Sequence, residues 1–186
     1  MAYTRPVAPE PLERIETFCN SARLLYGEDA LADLADARAW LQAHGWHDLA
    51  STLDEAARHE LREVREAIRA HLAGTTPEAA VATLNRYAQA TLAPPQWSPE
   101  GRPHLPVAAA TPLHALIGAM LTTLTAEELA GRRDRLKVCH AEQCRWVFYD
   151  RSPANNSVWC SMSICGARHK MRSYRTRHND PPPPSR

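Results

Sequence analysis

A chain of 186 residues, 44% hydrophobic and 23% charged, holds one compact domain or a domain with a small appendage, and its apolar runs fall well short of the roughly 20 residues of a membrane helix. The start, MAYTRPVAPEPLERIE, carries prolines and acids where a signal peptide has an apolar stretch, so a cytoplasmic protein is expected, in which paired cysteines hold metal more often than they form disulfides. The net charge of +1 hides an asymmetry: residues 1–131 carry 10 Lys and Arg against 17 Asp and Glu, residues 132–186 carry 12 against 4, and only the second part suits a polyanion.

Residues 1–11 carry Pro6, Pro9 and Pro11 and are expected to run extended. From Leu12, apolar residues recur at helical spacing through Ile15, Phe18, Cys19, Ala22 and Leu25, with Gly27 as the stop. Asp33 caps a second helix with Ala37, Trp40 and Leu41 inward, ending near Gly45. Ser51, with Asp54 three residues on, has the form of a capping box. Leu53, Ala57, Leu61, Val64, Ile68 and Leu72 follow on one face, and Glu60, Arg62, Glu63, Arg65 and Glu66 make a solvated one; Gly74 ends the helix. Thr76 caps the next, with Pro77 at its first position and Val81, Leu84, Tyr87, Ala88 and Leu92 as its core face. Residues 94–106, PPQWSPEGRPHLP, read as loop, with at most a short hairpin near residues 104–108. Thr111-Pro112 opens a helix whose wide stripe of Leu113, Leu116, Ile117, Met120, Leu121 and Leu124 makes it the central one; Thr125 caps a short continuation through Arg133.

Four of the five cysteines follow, in two copies of one spacing: Cys139 with Cys144, and Cys160 with Cys165, four residues between members and fifteen between pairs. A tetrahedral cation needs two tight turns from separate parts of the chain, and this pattern supplies them, so it points to one structural Zn2+. Four thiolates also close the shell and leave no position for catalysis. The same set suits an iron–sulfur cluster, export would favour disulfides, and His140 and His169 beside the ligands are alternative donors. After Cys144, Arg145-Trp146-Val147-Phe148-Tyr149 reads as a strand, Asp150 to Asn156 as a turn and Val158-Trp159 as the returning strand. The module is then a knuckle, a β-hairpin, a second knuckle, Gly166 and a helix from about Ala167 to His178. So small a unit lacks core, and zinc, worth on the order of 10–16 kcal/mol in small structural sites, makes up the deficit.

On that last helix Arg168, Arg172 and Arg175 share a face, flanked by Lys170 and Arg177. Met171, Tyr174 and His178 form a stripe to pack on Trp146 or Trp159. Such a helix suits phosphates and a major groove, with Arg145 and Arg151 as further phosphate contacts.

These residues resemble the CGNR zinc finger: the Cys139 and Cys144 pair, Trp146-Val147-Phe148-Tyr149-Asp150, Trp159-Cys160-Ser161-Met162, and Cys165-Gly166-Ala167-Arg168 ahead of a basic helix. The helices before them are similar to the ABATE domain that precedes this finger in a family of bacterial proteins, many actinobacterial, assigned as stress-induced transcription regulators. The resemblance implies one zinc, DNA as partner and a regulatory role. Ala167 stands at the family's signature asparagine, and Ser157 and Val158 stand where basic residues are common, which removes polar contacts near the finger.

The expected fold is mainly α: an extended start (1–11), a helical ABATE-like domain (12–131), a small treble-clef-like β-hairpin-plus-helix zinc module (132–178), and a disordered polyproline tail (179–186). The expected function is a zinc-binding transcription regulator, not an enzyme. DNA is contacted by Arg145, Arg151, Arg168, Lys170, Arg172, Arg175 and Arg177, and the helical domain senses a small-molecule effector or forms a homodimer. The alternative is a protein- or small-molecule-binding module in which zinc only pins the C-terminus. Cys19 reads as a buried structural thiol, the Asp29, Asp33 and Asp36 group as caps and solvated charge, and no Gly-rich phosphate loop occurs.

Overall fold

The structure, a computed structural model, describes residues 5–179. Residues 1–4 and the polyproline tail from Asp180 lie outside them. Among the described residues the chain is mainly α, with seven helices and three two-stranded antiparallel hairpins, and no helix is long and apolar enough to cross a membrane.

Helix α1 (Leu12–Cys19) is shorter than its periodicity suggests. The chain leaves it for a tight hairpin in which β1 (Ala22–Arg23) pairs with β2 (Glu28–Asp29) around a 3₁₀ turn at Leu24–Tyr26. Gly27 closes that turn at φ 70°, a left-handed conformation that glycine adopts at no steric cost. Ala22 and Leu25 differ in their surroundings: Ala22 is buried within the hairpin, while Leu25 packs toward the cysteines.

Asp33 caps α2 (Leu34–Ala43), its Oδ1 accepting from Asp36 N at 2.9 Å. A short α3 (His47–Thr52) follows. The cap of α4 (Glu55–Leu72) is Asp54, which accepts from Ala57 N at 2.8 Å; Ser51 sits inside α3 and donates to Asp48 O instead. Leu53, Leu61, Val64, Ile68 and Leu72 are buried as expected.

The solvated face fails at Arg65, which is only 2% exposed. Its Nη1 and Nη2 donate to the two carboxylate oxygens of Asp29 at 2.6 and 2.8 Å, and Nη1 also reaches Ser21 Oγ at 3.0 Å. Arg58 donates to the carbonyls of Leu31 and Ala32, and Arg69 to that of Cys19. The reason is the irregular stretch between α1 and α2, whose backbone groups lie against the core without a helix to satisfy them. A row of arginines on α4 supplies the donors.

Helix α5 (Glu78–Thr91) begins one residue after Pro77, with no side-chain cap from Thr76. It turns Tyr87 and Thr91 inward, leaving Val81 43% exposed. The proline-rich stretch does form a hairpin, of β3 (Gln96–Trp97) with β4 (Pro103–His104), and a further bridge joins Leu92 to Val107. Thr111 caps α6 (Pro112–Leu129), which runs on without a second cap at Thr125. It packs on α1, α3, α4 and α5, the place its stripe demands. Gly118 lets the chain after α5 cross it: a Cβ there would lie 2.7 Å from Val107 Cγ1 and 3.1 Å from Thr91 O.

The core does not stop at the helices. It continues into Leu136 and Val138 of β5 (Leu136–Val138) and Val147 of β6 (Val147–Tyr149). These strands pair Leu136 with Tyr149, Lys137 with Phe148 and Val138 with Val147. The hairpin therefore joins the strand before the first cysteine pair to the strand after it, not residues 145–149 to 158–159. Val158 contributes only a carbonyl that accepts from His140 N at 3.0 Å. Two-residue alternation explains the choice, since Leu136, Val138 and Val147 face the helices while Phe148 faces the cysteines. A single π-turn (Met162–Gly166) then leads into α7 (Ala167–Asn179).

Candidate metal centre and its basic helix

Each cysteine pair is held by backbone turns. Cys139 N donates to Trp146 O at 2.8 Å, and Cys144 N and Arg145 N donate to Ala141 O at 2.7 and 3.1 Å, with Arg145 at φ 47° closing the knuckle. In the second pair, Ser161 Oγ accepts from Ile164 N at 3.2 Å, and Ser161 O accepts from Cys165 N and Gly166 N. Gly166 keeps this turn tight: a Cβ there would lie 3.1 Å from Met162 Sδ and 3.4 Å from Trp159 Cδ1.

The four sulfurs all lie within 4.8 Å of one another. Cys144 and Cys160 are 3.6 Å apart, and Cys160 and Cys165 3.7 Å. Zinc–sulfur bonds of about 2.3 Å in a tetrahedron set sulfurs about 3.8 Å apart, so the chain presents the spacing that one zinc requires. All four are free thiols, far beyond the roughly 2.05 Å of a disulfide, and too closely gathered to surround several irons. Cys139, Cys144 and Cys165 are buried and Cys160 is half-buried, with Phe148, Trp146, Trp159, Ile164 and Leu25 packed around them. The crowding shows in their acidity. Hydrogen bonds from Cys144 and Cys160 pull the Cys139 thiol far down, and that first thiolate pushes Cys144 and Cys160 up. A divalent cation relieves the conflict by stabilising all four thiolates. This donor set fits one structural Zn2+. His140 and His169 are not part of it; they flank Trp159, at ring separations of 6.2 and 4.9 Å.

Asp150 locks the loop between the pairs. It is fully buried, and its carboxylate accepts from Lys137 Nζ at 2.8 Å, Ser152 N at 2.9 Å, Ser157 N at 2.8 Å and Ser157 Oγ at 2.9 Å. Burial raises its pKa, but the Lys137 ammonium and the Ser152 and Ser157 donors outweigh it and hold the carboxyl well below the usual range. Cys19, by contrast, is fully buried, and burial pushes its thiol up to about 12 against the lowering pull of Arg69, as suits a structural thiol.

Residues 15–131 match a family model, ABATE, described as "Putative stress-induced transcription regulator". The chain belongs to the ABATE family. Residues 135–178 of this ABATE chain match the CGNR zinc finger, which covers all four cysteines and α7. A comparison with curated proteins gives no match.

In the ABATE chain, α7 leaves Arg168, Lys170, Arg172, Arg175 and Arg177 all exposed, and among the described residues none of them pairs with a carboxylate. With about 100° between successive residues, Arg168, Arg172 and Arg175 fall within about 60° of one another, whereas Lys170 and Arg177 lie on the far side. Arg168, Arg172 and Arg177 border an open groove of about 930 Å³ whose other wall is His140, Glu142 and Gln143 of the first knuckle. Met171 and Tyr174, expected to cover the tryptophans, are 54% and 52% exposed. His169 takes the place against Trp159, and the side chain of His178 lies outside the described residues. Arg145 and Arg151 are engaged within the fold: Arg145 Nη1 is 4.0 Å from Glu66 of α4, and Arg151 donates to Val7 O at 2.7 Å while lying over the Tyr149 ring.

Three positions have roles that the sequence reading did not assign. Asp150 announces itself only as an Asp-x-Ser turn, and Asn20 and Arg5 carry no local pattern because their partners lie more than a hundred residues away.

Proposed function

We propose that this chain is a cytoplasmic transcription regulator, not an enzyme, that holds one structural zinc and contacts DNA through α7. The helical part (12–131) senses a signal or forms a homodimer, and the module after it (132–178) reads the nucleic acid. The supporting observation is the run of five exposed cations on one helix directly after a four-thiolate centre, none paired with a carboxylate among the described residues. Phosphate binding by such a helix needs no rearrangement of the fold. Arg145 and Arg151 would join only by leaving Glu66 and Val7, so the five residues of α7 carry the reading.

The test is an electrophoretic titration of the zinc-loaded chain against random duplex at two salt concentrations. Binding should weaken by a slope of about 0.9 per phosphate neutralised. A flat response, or no binding at low salt, overturns the reading.

A second reading is favoured by the shared core of the hairpin and the helices. In it, zinc only pins the C-terminus and the protein binds a partner or small molecule without nucleic acid. Arg172→Ala with Arg175→Ala then leaves activity intact.

A further inference from the structure

A cavity of about 260 Å³ lies where the 3₁₀ turn of the helical part meets the cysteine module. Leu24, Leu25 and Tyr26 line it on the side of the turn, and Trp146, Ile164 and, as its floor, the metal-binding Cys144, Cys160 and Cys165 line it on the side of the module. Leu24 and Tyr26 stand 38% and 52% exposed at the tip of a hairpin otherwise tied into the core, so two large apolar groups are held at an opening rather than buried.

The polar features at the rim define what fits. Arg23 is neutralised by Glu28 at 2.6 Å and stacks on Tyr26. Arg5 stacks over Phe148 at 4.6 Å, gives one N–H to Trp159 O at 3.1 Å, and has no carboxylate partner among the described residues. Its Nε and Nη1 make no hydrogen bond there and remain available as donors. The floor, once four thiolates hold zinc, carries about −2, which exceeds the single charge of Arg5. A carboxylate would add to that excess. An aromatic ring with an uncharged acceptor uses both the apolar walls and the spare donors.

We propose that this cavity binds a small, uncharged, planar aromatic molecule bearing a carbonyl acceptor, and that its occupancy braces the cysteine module against the helical part. The charge argument rests on the zinc reading, but binding is measured without DNA, so it stands or falls separately from the DNA-contacting role. Contacts from both walls make the ligand a bridge, and a ligand that prefers the docked arrangement stabilises it by mass action.

The experiment is calorimetric titration of the zinc-loaded full chain with 2-naphthamide, compared with 2-naphthoate. One saturable site is expected for the amide, with the carboxylate at least tenfold weaker. Leu24→Glu should weaken the amide at least tenfold, while Val81→Glu, on a distant exposed position, should not. Each variant is first checked for the melting temperature of the parent, with Tyr26→Ala replacing Leu24→Glu if that one melts lower. The amide should also slow zinc transfer to a chelator. Absence of saturable binding, equal binding by the wall variant, or tighter binding of the carboxylate overturns the site. Binding that leaves zinc transfer unchanged overturns the bracing.

Discussion

Asn20 pairs with Val147 as a neighbouring strand would: its Nδ2 donates to Val147 O at 2.8 Å and its Oδ1 accepts from Val147 N at 2.9 Å. Val147 is fully buried, and β5 covers only one edge of β6, so the backbone groups on the other edge depend on this one amide. Asn20→Ala leaves both unsatisfied. The expected cost is about 1–3 kcal/mol for each orphaned group. Urea unfolding of the variant should show a clearly lower midpoint; a change below roughly 0.5 kcal/mol would mean that water takes over the amide's role.

The division of β6 between two cores predicts an uneven response to metal removal. Leu136, Val138 and Val147 belong to the helical core, whereas α7 packs chiefly on the π-turn that carries Cys165. An isolated zinc finger unfolds when its metal is removed. Here, chelation, or Cys160→Ser, should abolish the single zinc found by metal analysis and raise amide hydrogen exchange across 160–179. Protection at 136–138 and 147–149 should persist. Exchange rising equally through both strands would show that zinc, rather than the helical core, holds the hairpin.

The metal centre was legible in the sequence because it depends on residue type and spacing along a short arc, and so was the exposed basic helix that follows it. The helices with strong periodicity, α4 and α6, were legible for the same local reason. What was not legible depended on distant partners. Arg65 looks solvated until Asp29 and Ser21 are brought beside it, and the strand pairing of 147–149 is decided by which face meets α1 and the helical core. The end of α1 at Cys19 also escaped, because Ala22 and Leu25 continue a helical rhythm while Ala22 serves the β1–β2 pairing and Leu25 the cysteine cluster.

The hydrogen-bonded carboxylates of Asp29 and Asp150 predict acid sensitivity. At Asp29, burial raises the pKa, but hydrogen bonds from Arg65 and Leu31 outweigh it and the net shift is down; at Asp150, the Lys137 and Ser152 donors likewise outweigh burial. A depressed folded pKa contributes stability that is fully present above the unfolded value, about 3.9 for Asp, and is lost as the pH falls through the folded value. Melting temperature should therefore be steady near neutrality and fall below about pH 4. Asp150→Asn should lose about 1.5–3 kcal/mol at pH 7, the worth of hydrogen bonds to a charged group. The gap to the parent should narrow as the pH drops below 4. A gap independent of pH would mean that Asp150 acts through shape and not charge.

The face of α7 that meets a duplex can be read from salt dependence. Arg172 and Arg175 share a side of the helix with Arg168, and Lys170 and Arg177 project from the other, Arg177 reaching round to the groove that Arg168 and Arg172 border. A straight helix lying in one groove presents one side to the phosphates more closely than its opposite. If the arginine side leads, Arg172→Ala with Arg175→Ala should reduce the slope of log affinity against log salt by roughly 1.8, two phosphates at about 0.9 each. Lys170→Ala with Arg177→Ala should change it by less than half of that. Circular dichroism and zinc content should match the parent in both, since these side chains are exposed and make no contact with the cysteines. Equal effects from the two pairs would point to a loose electrostatic association around the whole helix, and no effect from either would remove α7 from the interface.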